Sequence, residues 1–229
     1  MKVHCVPYAG GNAHSYRPMQ AHLPAFAVEG LELPGRGSRA GEPLSRSLEG
    51  MADDLFSHAA AAFLAGPYVL FGHSMGAALV YLLLHRIRDA GLPLPRAVVL
   101  SGKSAPSIPE SRARHRLAGR EFRDMLARLG GYPPEVLAEQ ELMDYFEPIL
   151  RADFEAVETW RPARREPLNV PALVLHGRDD EVPRSSQEAW AAEFTVPIEL
   201  HEFEGGHFFI QQHWRAIACL VTKLLDRSP

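Results

Sequence analysis

The segment Tyr68-Val69-Leu70-Phe71-Gly72-His73-Ser74-Met75-Gly76-Ala77-Ala78-Leu79-Val80-Tyr81-Leu82 leaves this chain few folds to choose from. Its first four residues read as a buried strand, the residues from Gly76 onward carry helical periodicity, and a sharp turn joins the two. Such a turn brings strand and helix backbones close together, so Gly72 and Gly76 remove the side chains that would collide. Ser74 at the apex is forced into a strained conformation that stands its hydroxyl clear of the sheet edge. Gly-x-Ser-x-Gly alone can be a tight turn with a structural serine. The flanking strand and helix point instead to an exposed nucleophile.

The rest of the chain repeats the strand–helix alternation. Strands are expected at Val3 to Val6, Phe26 to Leu31, Tyr68 to Phe71, Ala97 to Ser101, Ala172 to His176 and Ile198 to Phe203. Between them, Leu48 to Leu64, Gly76 to Asp89, Ser185 to Phe194 and Phe208 to Leu225 carry apolar residues at helical spacing. This pattern predicts a mostly parallel central sheet flanked by helices, with ligands bound beyond the carboxyl ends of the strands; with the strand, Gly72-His73-Ser74-Met75-Gly76 turn and helix set in it, the chain resembles the α/β-hydrolase fold. The 229 residues fit a single domain spanning 1–229. One segment, Ala105 to Arg165, contains no strand-like run and reads as short helices, Glu121 to Leu129 and Glu141 to Trp160, separated by Gly130-Gly131-Tyr132-Pro133-Pro134. It is too long for an ordinary loop and is expected to be an inserted helical lid. The turn Pro34-Gly35-Arg36-Gly37-Ser38-Arg39 lacks the strand-to-helix context of a phosphate-binding loop and reads as an irregular turn near the site.

Charge narrows the choice of partners. Lys plus Arg number 24 and Asp plus Glu 28, a formal net charge of -4, so there is no bulk basic field for nucleic acid or an anionic membrane. The chain has no apolar run that could span a bilayer and no signal-peptide pattern at its start, so cytoplasmic localisation is expected. A monomer is expected, and Cys5 and Cys219 are read as buried free thiols. No metal-ligand motif is present, and no metal is expected.

A serine hydroxyl needs a general base, and the base needs an orienting carboxylate. In this fold they follow the serine, acid first. The strand Leu173-Val174-Leu175-His176 opens into Gly177-Arg178-Asp179-Asp180-Glu181, where Asp180 has the expected spacing from Gly177 and Asp179 is the alternative. His207, in Gly205-Gly206-His207-Phe208-Phe209 after the last strand, completes the order as the base, while His73 is expected to pack the turn. The oxyanion needs backbone donors beside the serine. Met75 N–H is one; Ala9 N–H, in Pro7-Tyr8-Ala9-Gly10-Gly11, is the other, with Tyr8 as the alternative.

Further motifs extend across nearly the whole chain: Pro7-Tyr8-Ala9-Gly10-Gly11-Asn12-Ala13 with Tyr16-Arg17-Pro18, Glu32-Leu33-Pro34-Gly35-Arg36-Gly37, and Phe71-Gly72-His73-Ser74-Met75-Gly76-Ala77. Later in the chain come Leu129-Gly130-Gly131-Tyr132-Pro133-Pro134-Glu135-Val136-Leu137, Leu150-Arg151-Ala152-Asp153-Phe154, Glu158-Thr159-Trp160 and Gly205-Gly206-His207-Phe208-Phe209. With these the chain resembles the type II thioesterases, the free-standing editing enzymes of polyketide synthases and nonribosomal peptide synthetases. It departs from many of them in starting almost at its first strand and in having a crowded acidic turn.

The resemblance implies a serine thioesterase that hydrolyses acyl groups from the phosphopantetheine arm of acyl or peptidyl carrier proteins. No cofactor is needed beyond the phosphopantetheine of the substrate. Tyr8, Met143, Phe146 and Phe208 are the expected substrate-binding side chains. The alternatives are a general carboxylesterase or small acyl-CoA thioesterase of the same fold, a dedicated product-release enzyme, and a non-enzymatic binding module.

Overall fold

Alternate residues of one strand serve two different apolar clusters, which is the period-two consequence of burying a sheet on both faces. In the computed structural model, which describes residues 1–109 and 112–227, that strand is β3 (Tyr68–His73). Tyr68 and Leu70 pack with α1 (Leu48–Leu64) and α2 (Met75–Asp89) on one face. Val69 and Phe71 pack on the other face with α7 (Trp214–Arg227) and the 3-10 turn Arg17–His22. The remaining strands are β1 (Lys2–Val6), β2 (Ala27–Gly30), β4 (Ala97–Ser101), β5 (Ala172–Gly177) and β6 (Glu199–Phe203). All six form one sheet in the order β2-β1-β3-β4-β5-β6, and every neighbouring pair is parallel.

The strand order changes direction at β1, which lies between β2 and β3. The chain leaves β1 to one side and returns on the other, opening a crevice beyond the carboxyl ends of β1 and β3. The Tyr8–Gly11 turn follows β1 and Ser74 follows β3, so both sequence features stand at the same reversal.

Two expected helices divide. The stretch predicted over Phe208 to Leu225 is a 3-10 turn, Phe209–Gln212, followed by α7. The stretch predicted over Ser185 to Phe194 is α6 (Arg184–Glu188) and the 3-10 turn Ala189–Glu193. Apolar spacing of three to four residues suits both helix types, so periodicity does not separate them.

Among its described residues the lid has three α-helices, α3 (Gly119–Leu129), α4 (Pro134–Ala138) and α5 (Gln140–Thr159). The third agrees with the expected Glu141 to Trp160 to within one residue at each end, and its 20 residues run unbroken through Pro148. Met143 before the proline and Leu150 after it enter one apolar cluster with Phe122, Met125 and Leu126 of α3. That packing supports both halves of α5 where a backbone hydrogen bond is lost.

Cys5 is buried, but Cys219 is exposed, which corrects the expectation of two buried thiols. Its neighbours Ile217, Ala218 and Val221 take the inward face of α7. No helix among the described residues is long and apolar enough to cross a membrane.

Candidate active site

The elbow is built by exclusion of side chains. Ser74 has φ 54° and ψ -121°, and is the one non-glycine residue with positive φ among the described residues. A Cβ on Gly72 would lie 2.2 Å from the Gly76 carbonyl oxygen, and one on Gly76 would lie 2.3 Å from that of Val6. These glycines let β3, β1 and α2 meet closely enough to hold the strained serine. Ser74 N–H donates to the Ser101 carbonyl at 2.7 Å, tying the apex to β4.

The loops after β5 and β6 bring the other two groups. His207 Nε2 lies 2.9 Å from Ser74 Oγ, and its Nδ1 lies 3.0 Å from each Asp180 carboxylate oxygen. Asp180 is thus the carboxylate at the imidazole; its side chain is fully buried, and it also accepts from Val182 N–H at 3.2 Å. Asp179 is exposed and contributes its backbone, N–H to Gly205 carbonyl at 3.0 Å, which pins the acidic turn to the histidine loop. Glu181, the third carboxylate of the turn, is engaged by Arg112 and Arg114. His73 sits behind the site with its ring centroid 5.0 Å from that of His207 and its Nδ1 2.9 Å from Ser101 Oγ. Burial, reinforced by the neighbouring His207, pushes its pKa well below the ordinary value, so His73 is neutral and packs the turn.

Ala9, Met75, Ser74, His207 and Phe208 line one cleft, closed on the lid side by Leu129, Tyr132, Phe154 and Val157. Met75 opens α2, so its N–H has no partner within the helix and stands at the positive end of the helix dipole. The carbonyl of the Tyr8–Ala9 peptide accepts from Gly11 N–H at 2.8 Å. In a trans peptide the Ala9 N–H then points the opposite way. With the hydroxyl of Ser74 and an oriented imidazole on one cleft that Ala9 and Met75 also line, this arrangement can add an alkoxide to an acyl carbon.

Three of the expected substrate-binding residues lie elsewhere. Met143 is buried in the lid's own cluster and Phe146 packs against it. Neither is among the residues lining the cleft, because the inward face of that part of α5 meets α3. Tyr8 is not among the lining residues either; its ring stands edge-on, at 5.0 Å between centroids, to that of Phe208, which does line the cleft. Sequence reasoning missed the partnership of Arg36 with Asp153. Both residues stand in the motifs quoted above, but they are 117 positions apart, and no local pattern pairs them. Among the described residues no three His, Cys, Asp or Glu side chains converge as metal ligands.

A profile of the thioesterase domain matches residues 1–225. The chain belongs to the thioesterase family. A probable cadicidin biosynthesis thioesterase of Streptomyces griseus is 36% identical over 98% of this chain, which spans 63% of that relative's length. Among solved structures, RedJ, a thioesterase of the prodiginine pathway of Streptomyces coelicolor, superposes with a TM-score of 0.89 at 30% identity over 96% of this thioesterase and 89% of RedJ. BorB, a type II thioesterase from the borrelidin biosynthetic cluster, gives a TM-score of 0.89 at 33% identity, over 98% and 92% of the two chains.

Proposed function

We propose that this thioesterase hydrolyses acyl thioesters carried on the phosphopantetheine arm of acyl or peptidyl carrier proteins, in editing or release during polyketide or nonribosomal peptide biosynthesis. The observation that carries the reading is the continuous line of Ser74 Oγ, His207 and Asp180 opening on a cleft that the lid walls off. The biosynthetic setting is supported by relatives and neighbours of that description, RedJ and BorB among them.

His207 takes the Ser74 proton as Ser74 Oγ attacks the thioester carbonyl, and Asp180 orients and stabilises the imidazolium. The oxyanion is held by the N–H groups of Ala9 and Met75. The carbon–sulfur bond breaks, the arm leaves as a thiol after receiving the proton from His207, and an acyl group remains on Ser74. Water, deprotonated by the same histidine, then attacks that ester and frees the acid and the serine. The protein needs no cofactor or metal of its own for these steps, and its setting is the cytoplasm.

The deciding experiment compares kcat/KM for one acyl group on a carrier protein, on coenzyme A and as a simple oxygen ester. The carrier thioester is expected to be the best substrate, through contacts remote from the carbonyl. Equal rates on carrier and coenzyme A would indicate a small acyl-CoA thioesterase, and faster turnover of the oxygen ester would indicate a carboxylesterase.

A further inference from the structure

The peptide that joins Ala9 to Gly10 is held at both edges by the lid. Its carbonyl accepts from the Tyr132 hydroxyl at 2.6 Å, and its N–H donates to Asp153 Oδ2 at 2.8 Å. Tyr132 belongs to the junction between α3 and α4, and Asp153 belongs to α5, so two separate lid segments grip one peptide plane. Neither grip is loose. Arg36 donates to Asp153 from both terminal nitrogens, at 2.5 and 2.8 Å, and the two side chains are 3% and 0% exposed. Burial pushes the Tyr132 phenol far above its ordinary pKa, so it remains a donor across the working pH range. Gly10 has φ +73°, and a Cβ there would lie 2.5 Å from Leu150 Cδ2, so α5 is seated against the turn with no spare room.

We infer that Tyr132 and Asp153 are positioning residues through which the seated lid aims the Ala9 N–H at the substrate oxygen. The inference rests on the functional reading above and deepens it. The donor peptide Tyr8–Ala9 is fixed on its own carbonyl side by Gly11 N–H, and the next peptide is fixed by the lid, so both torsions that steer the Ala9 N–H are restrained. A hydrogen bond in the low-dielectric site repays such restraint, because a donor already aimed needs no reorganisation when charge develops. A lid that lifts away takes both clamps with it. The same junction reaches the other side of the centre, where Gly131, φ +83°, lies so close to the Phe208 ring that a Cβ would be 2.5 Å from it. Lid seating and the aiming of the Ala9 half of the oxyanion site are therefore one event.

The test is Tyr132→Phe, which removes one hydroxyl. Losing an oxyanion donor outright costs on the order of a hundredfold to a thousandfold in kcat, and misaiming one costs less, about tenfold. The expected result is a loss of about tenfold in kcat with KM for acylated carrier unchanged. Affinity for a trifluoromethyl ketone analogue, which forms an oxyanion on Ser74, falls in proportion, whereas affinity for the thioether analogue, which forms none, stays constant. Tyr145→Phe on the exposed outer face of α5 is the control and leaves all four quantities unchanged. Wild-type kcat in Tyr132→Phe, or equal loss of affinity for both analogues, would overturn the inference. Hydrogen exchange of the unaltered enzyme gives a second reading independent of any variant: the 8–11 turn is expected to open with the same free energy as the 130–154 lid, and a turn that stays protected while the lid exchanges would also overturn it. A fluorophosphonate separates the two levels. A Ser74 that resists the probe defeats the functional reading and this inference with it, whereas a reactive Ser74 with an indifferent Tyr132 defeats the inference alone.

Discussion

Arg36 grips Asp153 with two hydrogen bonds in a site from which water is excluded, joining the turn after β2 to the lid helix α5. Removing one member of such a pair leaves the other charge buried without compensation. The cost is about 3–5 kcal/mol. Arg36→Ala is therefore expected to lower the unfolding free energy by that amount in a denaturant titration. Arg184→Ala, which breaks an exposed pair with Glu188, should leave the curve nearly unchanged.

Selectivity for the acyl group should follow the residues that line the cleft. Val157→Phe narrows the space beside Ser74 and is expected to shift kcat/KM toward shorter acyl groups, while Phe154→Leu shifts it toward longer ones. Met143→Ala should leave the preference unchanged and instead cost about 2–5 kcal/mol of stability, since its side chain fills the lid cluster. A series of acyl carriers of graded chain length, assayed beside thermal unfolding, separates the two effects.

Acid should destabilise the fold through its buried histidines. His85 is wholly buried, and neither of its ring nitrogens has a hydrogen-bond partner among the described residues. Burial first, and then the nearby Arg88 and Arg165, lower its pKa to about 4. In the unfolded chain the same ring protonates near 6.5, so below that pH the unfolded state binds more protons and stability falls as pH falls. The loss accumulates between about 6.5 and about 4, at up to about 1.4 kcal/mol per pH unit for each such group, and ceases where the folded protein also takes up the proton. His73 and His4 are lowered as well and act in the same direction. Unfolding free energies measured across this window should decline toward acid, and His85→Leu should make the decline shallower by about one proton.

The sheet was legible because β-branched and apolar runs such as Ala97–Ser101 have no other comfortable conformation, and because parallel strands buried on both faces leave continuous apolar text. Ser74 was legible from Gly72 and Gly76, needed where backbones approach, and His207 from the Gly205-Gly206 pair before it, of which Gly205 takes φ +107°. The position of Asp180 beside His207 followed spacing, whereas Asp179, one residue away with the same chemistry, could be set apart only by seeing which carboxylate is buried. The lid was harder. An apolar residue on α5 can face α3, the cleft or the sheet edge, and periodicity states only that it faces inward; hence Met143 and Phe146 read as substrate contacts while Val157 and Leu129 did not. Arg36, Asp153 and Tyr132 interact with partners more than a hundred positions away, and such pairing leaves no trace in local pattern.

In the proposed reaction Ser74 carries the acyl group between carrier and water. That transfer is followed by mixing the enzyme with a carrier protein bearing a radiolabelled acyl thioester, quenching in acid at successive times and mapping the label on proteolytic fragments. Label is expected on the fragment containing Ser74, rising to no more than one acyl group per chain and decaying as free acid appears, with none in Ser74→Ala, whose hydrolysis should fall by on the order of a thousandfold or more. Undiminished hydrolysis by Ser74→Ala, or label on a different residue, would show that Ser74 is not the acyl carrier.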